Sequence, residues 1–271
     1  GQGATKNGSD GSIIITKSET SSGNIIGMQG GKNLYNAYAN TSDGVNTNVR
    51  AVGKINITHN GYGDVIGIRG TNSAGKINNA LAYLNSAVSD AVAEGSIVLS
   101  GKGNVYGIYG NGTIANSETQ FNKNYNMLKD FSSHGVIDVT TRSDTAAAYG
   151  IYAAGAKDTK TSVYNAMGYN STGDIKVRNT SGGSAFGIYS AAQTYTGDDD
   201  VVYYNNTYNA FRSSAIYGDS VATGNIDMTI EGYSSLGQQV AGIYAAGNAF
   251  NSYANSGSDV MLAVSYTHLT L

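Results

Sequence analysis

The octapeptide GNVYGIYG at 103–110 decides how this chain is read, because near-copies of it recur along the sequence. They are GNIIGMQG at 23–30, GDVIGIRG at 63–70, AAYGIYAA at 147–154, SAFGIYSA at 184–191 and QVAGIYAA at 239–246. A second motif, Gly-x-Ile-x-aliphatic, precedes each copy, with starts at Gly11, Gly53, Gly95, Gly135, Gly173 and Gly224. The intervals between starts are 42, 42, 40, 38 and 51 residues. A fixed period of this size marks a repeat architecture in which each unit is one supersecondary element.

The second motif alternates with period two. Ile13, Ile55, Ile97, Ile137, Ile175 and Ile226 fill one column. Ile15, Ile57, Leu99, Val139, Val177 and Met228 fill the column two residues on. Between them stand Ile14, Asn56, Val98, Asp138, Lys176 and Asp227. A column that is always Ile, beside one that accepts Asp and Lys, separates the inside of a half-buried strand from its outside. In the octapeptide, Met28, Ile68, Ile108, Ile151, Ile188 and Ile243 follow the Gly. Two places earlier stand Ile26, Ile66, Tyr106, Tyr149, Phe186 and Ala241. Simple alternation places both columns inside and puts Gln29, Arg69, Tyr109, Tyr152, Tyr189 and Tyr244 outside. The Gly between them belongs at a bend or where another backbone comes close.

A looser third motif follows: LYNA at 34–37, INNA at 77–80, VYNA at 163–166 and TYNA at 207–210, with FNKN at 121–124 and AFNS at 249–252 as weaker matches. Two readings fit Asn36, Asn79, Asn165 and Asn209. They stack rung over rung with paired amides, as in cross-β assemblies, or they serve as turn residues. The stretch 78–95 has Leu81, Leu84, Val88 and Ala91 at helical spacing, which predicts a short helical insertion. The stretch 192–223 is the longest irregular insert.

These patterns predict an all-β fold: a parallel β-helix (β-solenoid), right-handed, of about six coils of roughly 40 residues, with variable loop or short helical insertions. It spans 1–264 as a single solenoid. A coil cannot bury its own inner face, so stacking identical columns makes one continuous core. A globular sandwich is the competing fold, but it does not require the same residues at every period. The absence of Pro suits strands that pair on both edges.

Composition narrows the chemistry. The chain has no Cys, which excludes disulfides, thiolate metal sites and cysteine nucleophiles. A net charge of −3 argues against a nucleic-acid partner. No apolar run is long enough for a membrane span. The start, GQGATKNGSDG, lacks an initiating Met and reads as a beginning within a longer protein. His59, His134 and His268 are dispersed and read as loop residues with no triad or metal cluster. Asp198, Asp199 and Asp200 form an acidic run at an expected loop tip, because three consecutive carboxylates do not converge on one Ca²⁺. Asp138 and Asp227 share an outward column, but Lys176 stands between them, so paired-carboxylate glycosidase chemistry is not expected. No cofactor and no metal site is expected. The one candidate binding feature is the Tyr109, Tyr152, Tyr189, Tyr244 column. It is either a contact surface for sugars or protein, or a self-stacked stiffener of the solenoid.

With these motifs in place, the chain resembles the passenger regions of bacterial autotransporters and related large surface adhesins. Those regions carry Gly-x-Ile-x-Ile and Ala-x-Gly-Ile-Tyr repeats with Asn-rich connections and little Cys, and the resemblance covers roughly 11–262. It implies export, a non-catalytic stalk or adhesin at the cell surface, and a host surface glycan or protein as partner. The irregular segments 78–95 and 192–223 depart from the pattern. The alternatives are a β-helical polysaccharide-active enzyme, a lyase or hydrolase, and a glycan-binding module. Open coil edges predict end-to-end self-association. The ending VSYTHLTL, 264–271, resembles a translated sequencing-adapter junction, so 265–271 is expected to be a non-native tail.

Overall fold

The computed structural model describes residues 5–18, 22–43, 46–71, 75–86, 89–121, 130–154, 162–190, 193–194, 202–203, 206–213, 221–232, 237–255 and 266–270. Each coil runs through three strands. The first has β1 (Thr5–Lys17), β2 (Ile25–Gly30) and β3 (Leu34–Asn40). The second has β4 (Thr47–His59), β5 (Val65–Gly70) and β6 (Lys76–Leu84), and the third β7 (Ala91–Gly101), β8 (Val105–Gly110) and β9 (Thr113–Phe121). The fourth has β10 (Phe131–Thr141), β11 (Ala148–Ala153) and β12 (Ser162–Met167). The fifth has β13 (Ser171–Asn179), β14 (Ala185–Ser190), a short antiparallel pair β15 (Gln193–Thr194) and β16 (Val202–Tyr203), then β17 (Asn206–Ser213). The sixth has β18 (Ala222–Ile230), β19 (Val240–Ala245) and β20 (Ala249–Asn255), and β21 (Tyr266–Thr270) follows.

Like strands stack on like. The first face is the sheet β1-β4-β7-β10-β13-β18-β21, the second β2-β5-β8-β11-β14-β19, and the third β3-β6-β9-β12-β17-β20. Every neighbour within these three sheets is parallel, so the expected parallel β-helix is the fold. The motif glycines Gly11, Gly53, Gly95, Gly135, Gly173 and Gly224 lie opposite one another along the first face. The Ile and aliphatic columns are in the same register. From the second coil on they are at most 1% exposed, and they join the core cluster with Val65, Ile68, Val105, Ile108, Ile77, Ile114 and Val163 from the other faces.

Two expectations are corrected. The first concerns 78–95, which is not helical: 76–84 is β6 and 91–101 is β7. Ala80, Ala82 and Leu84 face Ala91 and Ala93 in a second, small-residue core with Phe131. Leu81, on the opposite side of β6, is buried as well. Apolar residues on both sides of a strand erase the alternation, and what remains mimics helical spacing. The second concerns the column of Ile26, Ile66, Tyr106, Tyr149, Phe186 and Ala241, which faces outward. The inward partners of the Ile column are instead Ile25, Val65, Val105, Ala148, Ala185 and Val240. The intervening Gly causes this. A Cβ built on Gly107 would lie 2.4 Å from Ile137 Cγ2 and 2.4 Å from the Gly150 carbonyl oxygen. Positions 107 and 108 therefore both face the interior, the alternation shifts phase, and Tyr106 turns out beside Tyr109.

Segment β21 lies in parallel register on β18, with Tyr266 opposite Asn225. An open parallel edge accepts any strand-competent segment, so this pairing is indifferent to the segment's origin. Among the described residues no helix is long and apolar enough to cross a membrane.

Candidate functional site

The Asn column is a continuous ladder. Asn36 Nδ2 donates to Asn79 Oδ1 at 2.8 Å, Asn79 to Asn116 at 2.9 Å, and Asn116 to Asn165 at 2.9 Å. Asn165 donates to Asn209 at 2.8 Å and Asn209 to Asn251 at 3.0 Å. Each amide also donates to the carbonyl of the motif glycine on the first face, Gly53, Gly95, Gly135, Gly173 or Gly224, at 2.8–3.0 Å. The ladder thus ties the third face to the first and each coil to the next. Those five glycines are required by space. A Cβ on any of them would lie 2.0–2.2 Å from the main-chain oxygen of the Asn it serves. The third-coil rung is Asn116, within IANS at 114–117, and not the FNKN segment, most of which lies outside the described residues. The sixth is Asn251, as AFNS suggested.

The tyrosine column stands on the outer side of the second face. Tyr109 and Tyr152 stack with centroids 5.1 Å apart, Tyr152 and Tyr189 at 5.0 Å, and Tyr189 and Tyr244 at 4.9 Å, all within 7° of parallel. The Arg69 guanidinium caps the row 5.9 Å from the Tyr109 ring centre. A second row, Tyr106, Tyr149 and Phe186, stacks beside it at 4.9 and 5.2 Å. The rows meet edge to face, as between Tyr149 and Tyr152 at 5.1 Å. The four sequence-identified tyrosines are therefore brought together. Burial pushes the Tyr149 phenol up to about 12 and raises Tyr106 and Tyr152 too, with neighbouring phenols adding to the effect. Ring faces within the row are covered by one another, so the row offers ring edges and hydroxyls to a partner. Tyr244, at the end of the row, is 41% exposed.

The third face carries similar rows that simple motif matching overlooks. Tyr164, Tyr208 and Phe250 stack at 5.1 and 4.9 Å, and Phe211 stacks on Tyr253 at 5.5 Å. The Tyr164 row stops at Ala115 in the third coil and the Phe211 row at Met167 in the fourth. Opposite Met167 in the third coil stands Glu118, which is fully buried, ion-paired with Lys76 at 3.2 Å and hydrogen-bonded by Asn78 and Gln120.

The histidines differ from their expected loop roles. His59 ends β4 facing inward and is fully buried. Its Nε2 donates to Gly23 O at 3.0 Å, and its Nδ1 accepts from Gly61 N at 3.1 Å, so both nitrogens are engaged in structure. His134 lies within β10 facing outward, 2.7 Å from Asp174 on the next coil. The hydrogen bond to Asp174 raises His134 above its ordinary 6.5, and the same contact lowers Asp174 below 3.8. His268 lies in β21. Lys176 stands between Asp138 and Asp227, as the spacing predicted. Asp198, Asp199 and Asp200 lie outside the described residues. Among the described residues no group of three or more His, Asp or Glu side chains gathers in a way that would hold a metal ion.

No family model, curated protein or solved structure matches this chain.

Proposed function

We propose that the chain is a length of a non-catalytic extracellular stalk or adhesin, of the kind found in autotransporter passengers, whose partner is a host surface glycan or protein. The observation that supports this reading is the coil-to-coil bonding. Buried amides and stacked phenols link each coil to the next, and longer side-chain bonds such as Arg142 to Asn60 and Asn79 to Val136 O reach one coil further. Such stacking gives a stiff element that lengthens by about 4.8 Å per coil and repeats its outer surface at the same interval. This suits reach and multivalent contact. In isolation the open strand edges of the terminal coils pair end to end, which light scattering at increasing concentration detects as growing mass.

The test is adhesion. Beads coated with the chain are expected to bind animal-cell or extracellular-matrix surfaces, and a quadruple Tyr→Ser variant at 109, 152, 189 and 244 to bind less while keeping its strand spectrum. Absence of adhesion, together with release of reducing ends from a polysaccharide, would replace this reading with the enzymatic one.

A further inference from the structure

A solvent-open groove of about 600 Å³ lies at the corner where the first face turns into the second. Unequal turn lengths create it. The second coil crosses this corner with residues 60–64 and the fourth with 142–147, but the third crosses with only 102–104. The short turn forms a floor, and the longer turns on either side form walls.

The groove is held rigidly. Asp64 Oδ1 accepts from the Asn104 main-chain N at 3.0 Å and from its Nδ2 at 3.1 Å. Asn104 Oδ1 accepts from Ala147 N at 2.9 Å. Arg142 reaches across the third coil and donates to Asn60 Oδ1 at 3.1 Å. Thr141 donates to the Gly103 carbonyl at 2.9 Å. On the wall, Tyr62 is 77% exposed, with Lys102 Nζ 5.6 Å from its ring centre. An exposed aromatic ring beside a preorganised polar floor lowers the ordering cost of binding.

The lining selects the ligand class. Asp64 and Asp144 balance Lys102 and Arg142, so the groove has no net formal charge to attract a polyanion. It offers one flat aromatic plate with donors and acceptors around it. A pyranose has a flat C–H face and a rim of hydroxyls that both donate and accept, and the volume is that of a ligand pocket. We propose that this groove binds a neutral oligosaccharide, with Tyr62 as the stacking platform and Asp64, Asn104, Lys102, Arg142 and Asp144 holding its hydroxyls. This rests on the reading of the chain as a contact-making surface protein, and it locates one contact away from the tyrosine rows.

The experiment is a printed array of several hundred neutral and acidic glycans probed with the 271-residue chain, followed by calorimetry on the best neutral oligosaccharide. The expected result is neutral-glycan binding that Tyr62→Ala weakens about tenfold and Lys102→Ala weakens measurably, with both melting curves unchanged. The quadruple Tyr→Ser variant is expected to retain this binding. Binding that survives Tyr62→Ala overturns the site. A response confined to uronate or sulfated glycans overturns the neutral class, and no glycan binding overturns the proposal. If the coated beads still adhere to cells in those cases, the adhesive reading stands while the groove falls.

Discussion

Replacing Asn116 by Ala removes an interior rung of the amide ladder. Asn116 Nδ2 donates to Gly135 O at 2.8 Å and Asn165 Oδ1 at 2.9 Å, with a longer contact to Asp174 O at 3.3 Å, and its Oδ1 accepts from Asn79 at 2.9 Å. Asn79 keeps its bonds to Gly95 O and Val136 O. Asn165 Oδ1, in a fully buried residue, loses its donor. Three hydrogen bonds at about 1 kcal/mol net each, together with one stranded acceptor at about 1–3 kcal/mol, give a destabilisation of about 4–6 kcal/mol. The same change at Asn36, a partly buried end rung that water can reach, is expected to cost about 1–2 kcal/mol. Asn116→Asp should exceed both, because a carboxylate would face three oxygens in place of donating to them. Urea unfolding followed by far-ultraviolet circular dichroism measures all three. A loss below about 1 kcal/mol for Asn116→Ala, or equal losses at Asn116 and Asn36, would refute the view that the ladder holds the coils together.

Other outcomes follow from the same geometry. Gly135→Ala forces a Cβ to 2.0 Å from the Asn116 carbonyl oxygen, a rigid main-chain atom, and is expected to cost at least about 3 kcal/mol or prevent folding, as urea midpoints would show. Ile137→Asp places an unpaired charge at a fully buried position, with an expected loss of several kcal/mol in the same assay. The His134–Asp174 pair is partly exposed and contributes at most about 1 kcal/mol. The raised His134 contributes fully below pH 6.5, and that share is lost as pH rises through its folded value. The lowered Asp174 contributes above pH 3.8 and loses its share as pH falls through its folded value. His134→Gln should therefore lower stability in the mildly acidic range between those two folded values and leave it unchanged well above the His134 value. Tyr149 stays neutral to about 12 in the fold but ionises near 10 when unfolded, so stability should fall as pH rises from 10 toward 12. Carbon-13 shifts of labelled tyrosine and melts across that range check both statements.

The first face was legible because one column tolerates only Ile while its neighbour accepts Asp and Lys, and the structure puts them inside and outside accordingly. The second face was misphased because Gly107 and its equivalents have no side chain to report that two successive positions face inward. Around 78–95, alanines on a close strand-to-strand contact and a buried Leu81 on the other side imitated a helix. Asn116 escaped motif matching because IANS lacks the Asn-Ala pair, although Asn116 follows Gly107 by nine residues, as Asn36 follows Gly27 and Asn251 follows Gly242. The corner groove is legible only in hindsight. Its trace is the short interval between the two motifs in the third coil, flanked by longer ones, which a search for conserved residue types passes over.

The central claim is that residues roughly 40 positions apart stack in register, one coil above the next. Because the chain has no Cys, paired spin labels can be introduced cleanly. Ile14, Asn56, Val98, Asp138, Lys176 and Asp227 share one outward column. Electron–electron resonance between a label at Ile14 and one at Asp138, Lys176 or Asp227 should give distances of about 14, 19 and 24 Å, an increment of about 4.8 Å per coil. Distances that fail to rise by one coil spacing at each step, or that scatter broadly, would contradict the stacked solenoid and everything derived from it.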